Sequence, residues 1–270
     1  MKSAVTVSLV PEAAGGPFVF WNGLEDAFAQ TAALGFDGIE IFPSDPAAIE
    51  TGRVRALMEQ HSLAVAAVGT GAGWVKHRVH LCHPELAVRL KAQEFVCAMV
   101  RQAGALGAPT ILGSMQGRVE AGVERSQALD WLTEGLVQAE AAASEHGVVF
   151  LYEPLNRYET NLFNLQLDAA AFLEERHFKG VRILADLFHM NIEEKDLAAT
   201  IRSLGNSLGH LHFADSNRRA IGFGHTPAAD VVAALHHIHY SGYLSAEVLP
   251  LPDSGAAARR TIESFRALTA

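Results

Sequence analysis

Val181-Arg182-Ile183-Leu184-Ala185-Asp186 is a short, nearly continuous apolar run that ends on a carboxylate. A run of this kind suits a strand buried on both faces, as in a parallel sheet, better than a half-exposed strand, which would alternate polar and apolar residues. The same pattern lies on both sides of it. Val148–Tyr152 is followed by Glu153, Gly209–Phe213 carries His212, and Tyr243–Ala246 is followed by Glu247. Towards the N-terminus, Val5–Val10, Gly38–Ile41, Ala64–Val68 and Thr110–Leu112 complete eight strand candidates. Amphipathic stretches separate them: Leu24–Leu34, Ala47–His61, Glu85–Leu106, Arg125–His146, Leu167–Glu175, Asp196–Leu204 and Ala228–His239, with Gly255–Leu268 at the end. Strands alternating with helices build βαβ units.

Gly35, Gly107 and Gly147 each close a helical run ahead of a strand, where a positive φ ends a helix. In the third helix Leu86, Leu90, Val96, Met99, Val100 and Ala103 fall at steps of three and four, predicting one apolar stripe against the sheet. No G-x-G-x-x-G follows the first strand, which disfavours an open dinucleotide-binding sheet. Eight units instead close on themselves without an edge strand. The expectation is a (β/α)₈ TIM barrel, a single domain over residues 1–270, close to the roughly 250 residues that such a barrel needs.

Composition agrees. Hydrophobic residues make up 49% and charged residues 19%, enough for a large core. The formal charge of -9 argues against a nucleic-acid partner, whose phosphates it would repel. Cys82 and Cys97 are read as free thiols, with Cys97 buried. The apolar start reads as a first strand, not a signal peptide, and no run reaches the roughly 20 apolar residues of a membrane span. A cytoplasmic protein without a membrane partner follows as the expectation.

In a parallel barrel, functional side chains project from the C-terminal strand ends. Strands five to eight deliver Glu153, Asp186, His212 and Glu247 there. Each alone could cap the following helix. Together, three carboxylates in a low-dielectric mouth would repel one another, which calls for a cation. Oxygen-rich ligation with one imidazole suits a single divalent ion, Mn²⁺ foremost, with Mg²⁺ or Co²⁺ as alternatives.

Three segments carry a resemblance. Glu153-Pro154-Leu155-Asn156-Arg157-Tyr158-Glu159, Asp186-Leu187-Phe188-His189-Met190-Asn191-Ile192-Glu193-Glu194 and His212-Phe213-Ala214-Asp215-Ser216-Asn217-Arg218 resemble the D-tagatose 3-epimerase and hydroxypyruvate isomerase group of xylose isomerase-like TIM barrels. The likeness extends to Gly35–Glu40 and Gly242-Tyr243 and is weakest in the first and third loops. It implies that Glu153, Asp186, His212 and Glu247 hold the metal and that Glu153 and Glu247 double as acid and base. It also implies that Glu159, His189 and Arg218 bind the substrate. Two departures bear on substrate identity: His225-Thr226-Pro227 lacks the aromatic or acidic residue common in relatives, and Gln116-Gly117-Arg118 is polar.

The implied activity is that of a sugar epimerase or aldose-ketose isomerase. A proton next to a ketose carbonyl is moved through an enediolate, with two glutamates serving opposite faces and the metal stabilising the oxygen. Small sugars or sugar phosphates are the expected substrates, and barrels of this group often pair as homodimers or homotetramers. An inosose-type dehydratase on the same barrel shares the proton abstraction, but its product would carry a double bond. An endonuclease IV-like nuclease would need more histidines and a basic groove. A non-catalytic sugar-binding barrel would turn nothing over.

Several other side chains invite a role. His77, His80 and His83 recur at three-residue steps and suggest zinc, but ahead of Pro84 and with no acidic neighbour they read as a substrate-facing loop or a solvated turn. Phe18, Phe20, Trp21 and Trp74 fall in loops on the catalytic rim, where they could stack on a sugar or pack the barrel top. Glu40, at the end of strand two, is given a structural hydrogen-bonding role. Arg118 and Arg219 are candidate phosphate contacts, and His236, His237 and His239 are read as surface residues on a late helix.

Overall fold

The structure is a computed structural model that describes all residues, 1–270. Eight parallel strands form a closed barrel in sequence order: β1 (Lys2–Ser8), β2 (Gly38–Phe42), β3 (Ala64–Gly69), β4 (Thr110–Leu112), β5 (Phe150–Tyr152), β6 (Val181–Asp186), β7 (Leu208–His212) and β8 (Tyr243–Ala246). β8 pairs with β1, so the expected closure without a free edge is present. The apolar N-terminus is β1. No helix is long and apolar enough to cross a membrane.

Strand side chains point alternately into the barrel and out to the helix ring. Both faces are therefore apolar, and all five residues of β2 are buried. Ala67, Ile111, Leu151 and Leu184 form a small core cluster of their own, separate from the 68-residue cluster that joins sheet and helices. Two positions beyond an inward residue, the next inward residue reaches the C-terminal mouth. Leu151 precedes Glu153 in this way, Leu184 precedes Asp186, His210 precedes His212, and Ser245 precedes Glu247. The strand period therefore aims all four into one mouth.

Gly35, Gly107 and Gly147 have φ of 76°, 71° and 67°, the left-handed conformation expected of them. Three details depart from expectation. The second helical stretch is a 3₁₀ turn, Pro46–Ala48, followed by a helix over Thr51–His61. The Asp45 side chain caps the turn by accepting from Ala48 N. An additional helix, Leu187–Glu193, starts directly on Asp186. In the helix Leu86–Ala105 the apolar stripe is shorter than its spacing suggests. Val96, Met99, Val100 and Ala103 are buried, but Leu86 and Leu90 are 58% and 54% exposed; in the helix's first turns the buried positions are Arg89, Ala92 and Gln93. Both cysteines are free, and Cys82, not Cys97, is the fully buried one.

Candidate metal centre and active site

Glu153, Asp186, His212 and Glu247 each offer a ligand atom within 4.8 Å of the others, and all four are buried. His212 Nδ1 stands 3.5 Å from Glu153 Oε1, 3.5 Å from Asp186 Oδ2 and 3.8 Å from Glu247 Oε2. These separations are long for hydrogen bonds. They suit donors around one ion, since ligands about 2.1 Å from a metal stand on the order of 3 Å apart. Asp186 Oδ2 and His212 Nδ1 are buried and have no hydrogen-bond partner, an arrangement that is costly unless a cation satisfies them. The donor set therefore fits a divalent metal.

Three of the four candidate ligands are held from behind. Asp186 uses one oxygen for the fold and leaves the other to the site: Oδ1 accepts from Phe188 N at 2.7 Å and caps the helix that begins at Leu187, while Oδ2 faces the cluster. The helix cap and an oxygen free to face the cluster thus coexist in the same residue. His212 Nε2 lies 3.0 Å from Glu40 Oε1, and Glu40 Oε2 lies 2.8 Å from His210 Nε2. This is the structural role expected of Glu40, and it turns His212 Nδ1 to the mouth. Behind Glu153, the buried Gln116 amide donates to the carbonyls of Gly113 and Glu153 and accepts from the Tyr152 hydroxyl at 2.6 Å. Gly113 leaves the carboxylate its space, because a Cβ there would meet Glu153 Oε2 at 2.5 Å.

Electrostatics mark the same centre. Burial opposes charge on His212, but Glu40 and Glu247 hold its ring well above the usual histidine range. Burial also works against ionised Asp186, yet His189, His212 and Arg218 bring it to about 2. Burial pushes Glu247 up to about 7, with the Glu153 and Asp186 charges adding to the effect and Arg218 and His212 opposing it.

The three residues assigned to substrate gather beside this cluster. His189 Nδ1 receives the Asn156 backbone N–H at 3.3 Å and its side-chain amide at 2.7 Å. The neutral ring then carries its proton on Nε2, which has no partner and lies 3.8 Å from Glu153 and 3.7 Å from Asp186. Arg218 Nη2 donates to Glu247 Oε2 at 2.5 Å, and its guanidinium lies 4.6 Å over the Phe188 ring. Glu159 accepts from the Asn156 amide at 3.0 Å and is 3.8 Å from both His189 and Arg218. Asn156, Gln116 and Gly113 complete the site; of these the sequence marks only Gln116, in the polar Gln116-Gly117-Arg118 segment and not for its place behind Glu153. Asn156 lies within the quoted Glu153–Glu159 motif, which was the available signal.

Arg218 is held in place by its loop. Asp215 accepts the backbone N–H groups of Ser216, Gly222, Gly224 and Thr226, its carbonyl accepts from Arg218 N, and its own N–H donates to Arg219 O. Burial opposes the Asp215 charge, but these amides bring it to about 2. The loop leaves Arg218 at φ 58°.

One cavity of about 590 Å³ opens over the centre, and Glu153, Glu247, His189, Arg218 and Glu159 line it. Phe18 and Trp74 line it as well, whereas Phe20 is buried and Trp21 lies outside it, donating from its indole to Phe18 O. Arg118 faces the cavity; Arg219 does not, stacking on Phe223 at 4.5 Å. His80 is neither solvated nor without an acidic neighbour. It is buried, and its Nε2 lies 3.1 Å from Glu120, a partner forty positions away that local spacing cannot reveal. His236, His237 and His239 are exposed.

Comparison with known proteins gives a consistent result. The profile of the family described as "Xylose isomerase-like TIM barrel" matches residues 28–268. An L-ribulose 3-epimerase of Methylomonas sp. (strain DH-1) is 29% identical over 243 residues, covering 86% of this chain and 83% of its own. A D-psicose 3-epimerase of Agrobacterium fabrum is 28% identical over 249 residues, covering 89% and 83%. The crystal structure of a 3-keto-D-glucoside 4-epimerase from E. coli shares the fold with a TM-score of 0.83 at 23% identity, over 99% of this chain and all of that one.

Proposed function

Because this chain belongs to the xylose isomerase-like TIM barrel family, we propose that it is a divalent-metal-dependent ketose 3-epimerase acting on a small sugar. The observation that carries this reading is the pair Glu153 and Glu247. They stand on strands three places apart around the mouth, yet offer oxygens to one cluster with Asp186 and His212. Two carboxylates reaching one point from different sides suit proton removal from one face of a carbon and return to the other.

Glu153, Asp186, His212 and Glu247 would hold the ion, Mn²⁺ foremost with Mg²⁺ or Co²⁺ also suited, and it would supply Lewis-acid stabilisation of charge on the substrate's oxygens. Glu153 and Glu247 exchange the proton with the carbon next to the carbonyl. His189 directs its Nε2–H towards the oxygen of the carbonyl end, kept in that tautomer by Asn156. Arg218 braces Glu247, and Glu159 orients a substrate hydroxyl. Phe18 and Trp74 exclude water from the cavity.

The test is turnover in deuterated water of a panel of ketoses and aldoses with Mn²⁺, Mg²⁺ or Co²⁺. Deuterium at C3 of a ketose, with inversion there, is the expected result. Label at C1 or C2 with aldose formation would make the enzyme an aldose-ketose isomerase, and loss of water would make it a dehydratase.

A further inference from the structure

The proton-transfer residues occupy only one side of the cavity. The other side is built by the loops after β1, β3 and β4, which carry Phe18, Trp74, His80, Arg118 and Glu120, with Tyr158 at the opening. Tyr158 is 77% exposed although it lines the cavity, so packing of the protein core does not account for it. Phe18 rests on Phe42 at 4.4 Å, and the Trp74 ring meets His80 edge-on at 5.7 Å, which gives a wall of fixed aromatic surface. Set into this wall, Glu120 lies 3.1 Å from His80 Nε2 and is partly exposed.

Aromatic surface beside an oriented carboxylate is the chemistry that recognises a sugar ring, with C–H faces on the rings and hydroxyls donating to the acid. Charge selects among ligands. Burial keeps the His80 ring below its ordinary value, with Glu120 opposing, so Arg118 and Glu120 are the two formal charges on this wall and they offset each other. A phosphate here would meet one arginine and an opposing carboxylate. Size points the same way: about 590 Å³ falls in the roughly 300–1,000 Å³ range of pockets that enclose drug-sized ligands, which carry about twice the atoms of one hexose.

We infer that the outer side of the cavity, formed by Trp74, His80, Glu120 and Tyr158, is a binding site for a second, neutral sugar ring, so that the preferred substrate is a ketose bearing a glycosyl substituent. This rests on the proton-transfer reading of the inner side. It concerns recognition alone and requires no further chemical step.

The test uses Mn²⁺-loaded enzyme and four probes with the same reacting end: D-fructose, D-fructose 6-phosphate, and the disaccharides maltulose and isomaltulose, which carry glucose on O4 and O6 of fructose. Affinity is read by calorimetry and proton exchange by deuterium incorporation. At least one disaccharide should bind ten-fold or more tighter than fructose. Glu120→Gln, which keeps the shape of the side chain, and Tyr158→Ala, at an exposed position where folding is not at stake, should each cut that preference at least five-fold. Equal or tighter binding of fructose or fructose 6-phosphate would overturn the inference, as would a disaccharide preference that both variants leave unchanged. Absence of deuterium from every probe would instead sink the proton-transfer reading, while the affinity ratios would still decide the outer site.

Discussion

Glu40 Oε1 lies 3.0 Å from His212 Nε2, across the barrel interior from β2 to β7, and that contact turns the other ring nitrogen towards the carboxylates at the mouth. The remaining Glu40 oxygen takes His210, so the acid is fully engaged at zero exposure. Glu40→Gln keeps the volume but cannot accept from both rings in the same way. Metal affinity should fall about 10- to 100-fold, as for other partners of ligating histidines, with activity recovered at saturating Mn²⁺. Metal titration of the stripped variant checks this, and unchanged affinity would remove Glu40 from the site.

Metal binding should compete with protons. In the metal-free chain the His212 ring is held well above its ordinary value, and Glu247 is raised to about 7, chiefly by burial. Both groups bind protons more tightly folded than unfolded, so their contribution to stability is greatest at low pH. It declines as pH rises from the unfolded carboxylate range through about 7 and on through the raised histidine value. An ion replaces those protons. Melting temperatures with Mn²⁺ and with chelator should therefore diverge as pH goes from 5 to 8, and calorimetry in buffers of different ionisation enthalpy should register proton release.

Asp186 can be divided experimentally, because its oxygens do different things. Asp186→Asn retains a carbonyl oxygen to accept from Phe188 N but loses the charge of the free oxygen. It should abolish tight metal binding and, because the carboxyl is held at about 2 by His189, His212 and Arg218, also lower the metal-free melting temperature. Asp186→Ala should lose the cap as well, at a further cost of about 1 kcal/mol by denaturant titration. Equal stability of the two variants would show that the cap contributes nothing.

Asp215 touches none of the four clustered residues but fixes the loop that carries Arg218, through four backbone N–H groups on its side chain. Asp215→Ala should lower kcat/KM by at least ten-fold while leaving Mn²⁺ affinity within a few-fold. The carboxyl is held at about 2, so the stability it gives is complete above the ordinary aspartate range and is lost only as pH falls towards 2. The variant should therefore lose less stability than the parent between pH 4 and 2.

At the end of β4, Gly113→Ala adds one methyl group, and that carbon would stand 2.5 Å from Glu153 Oε2. Glu153 must move away, since its backbone is held to Leu112 O and by Gln116. Weaker metal binding and at least a hundred-fold lower turnover are expected in a protein that still folds. Metal affinity and turnover equal to the parent's would mean that Glu153 has room to spare.

The barrel and the four clustered residues were legible because both depend on local regularity. Strand and helix patterns recur along the chain, and a carboxylate or imidazole two positions beyond an inward-facing strand residue faces the mouth. Pairings set by closure of the barrel leave no such trace. Glu40 with His212, and His80 with Glu120, are 172 and 40 positions apart, and no local period connects them. Helical spacing likewise selected Leu86 and Leu90 for burial, but in those turns the buried face runs through Arg89, Ala92 and Gln93, whose polar members an apolar pattern does not pick out. Gly113 went unnoticed because its contribution is space, which a sequence shows only as a missing side chain.

The four clustered residues all come from β5 to β8, within Glu153 to Glu247, whereas the opposite wall, Tyr158 apart, belongs to segments before residue 121. The clustered residues and most of the opposite wall are therefore inherited on separate stretches of the chain. A crossover near the middle of the gene could exchange one and spare the other.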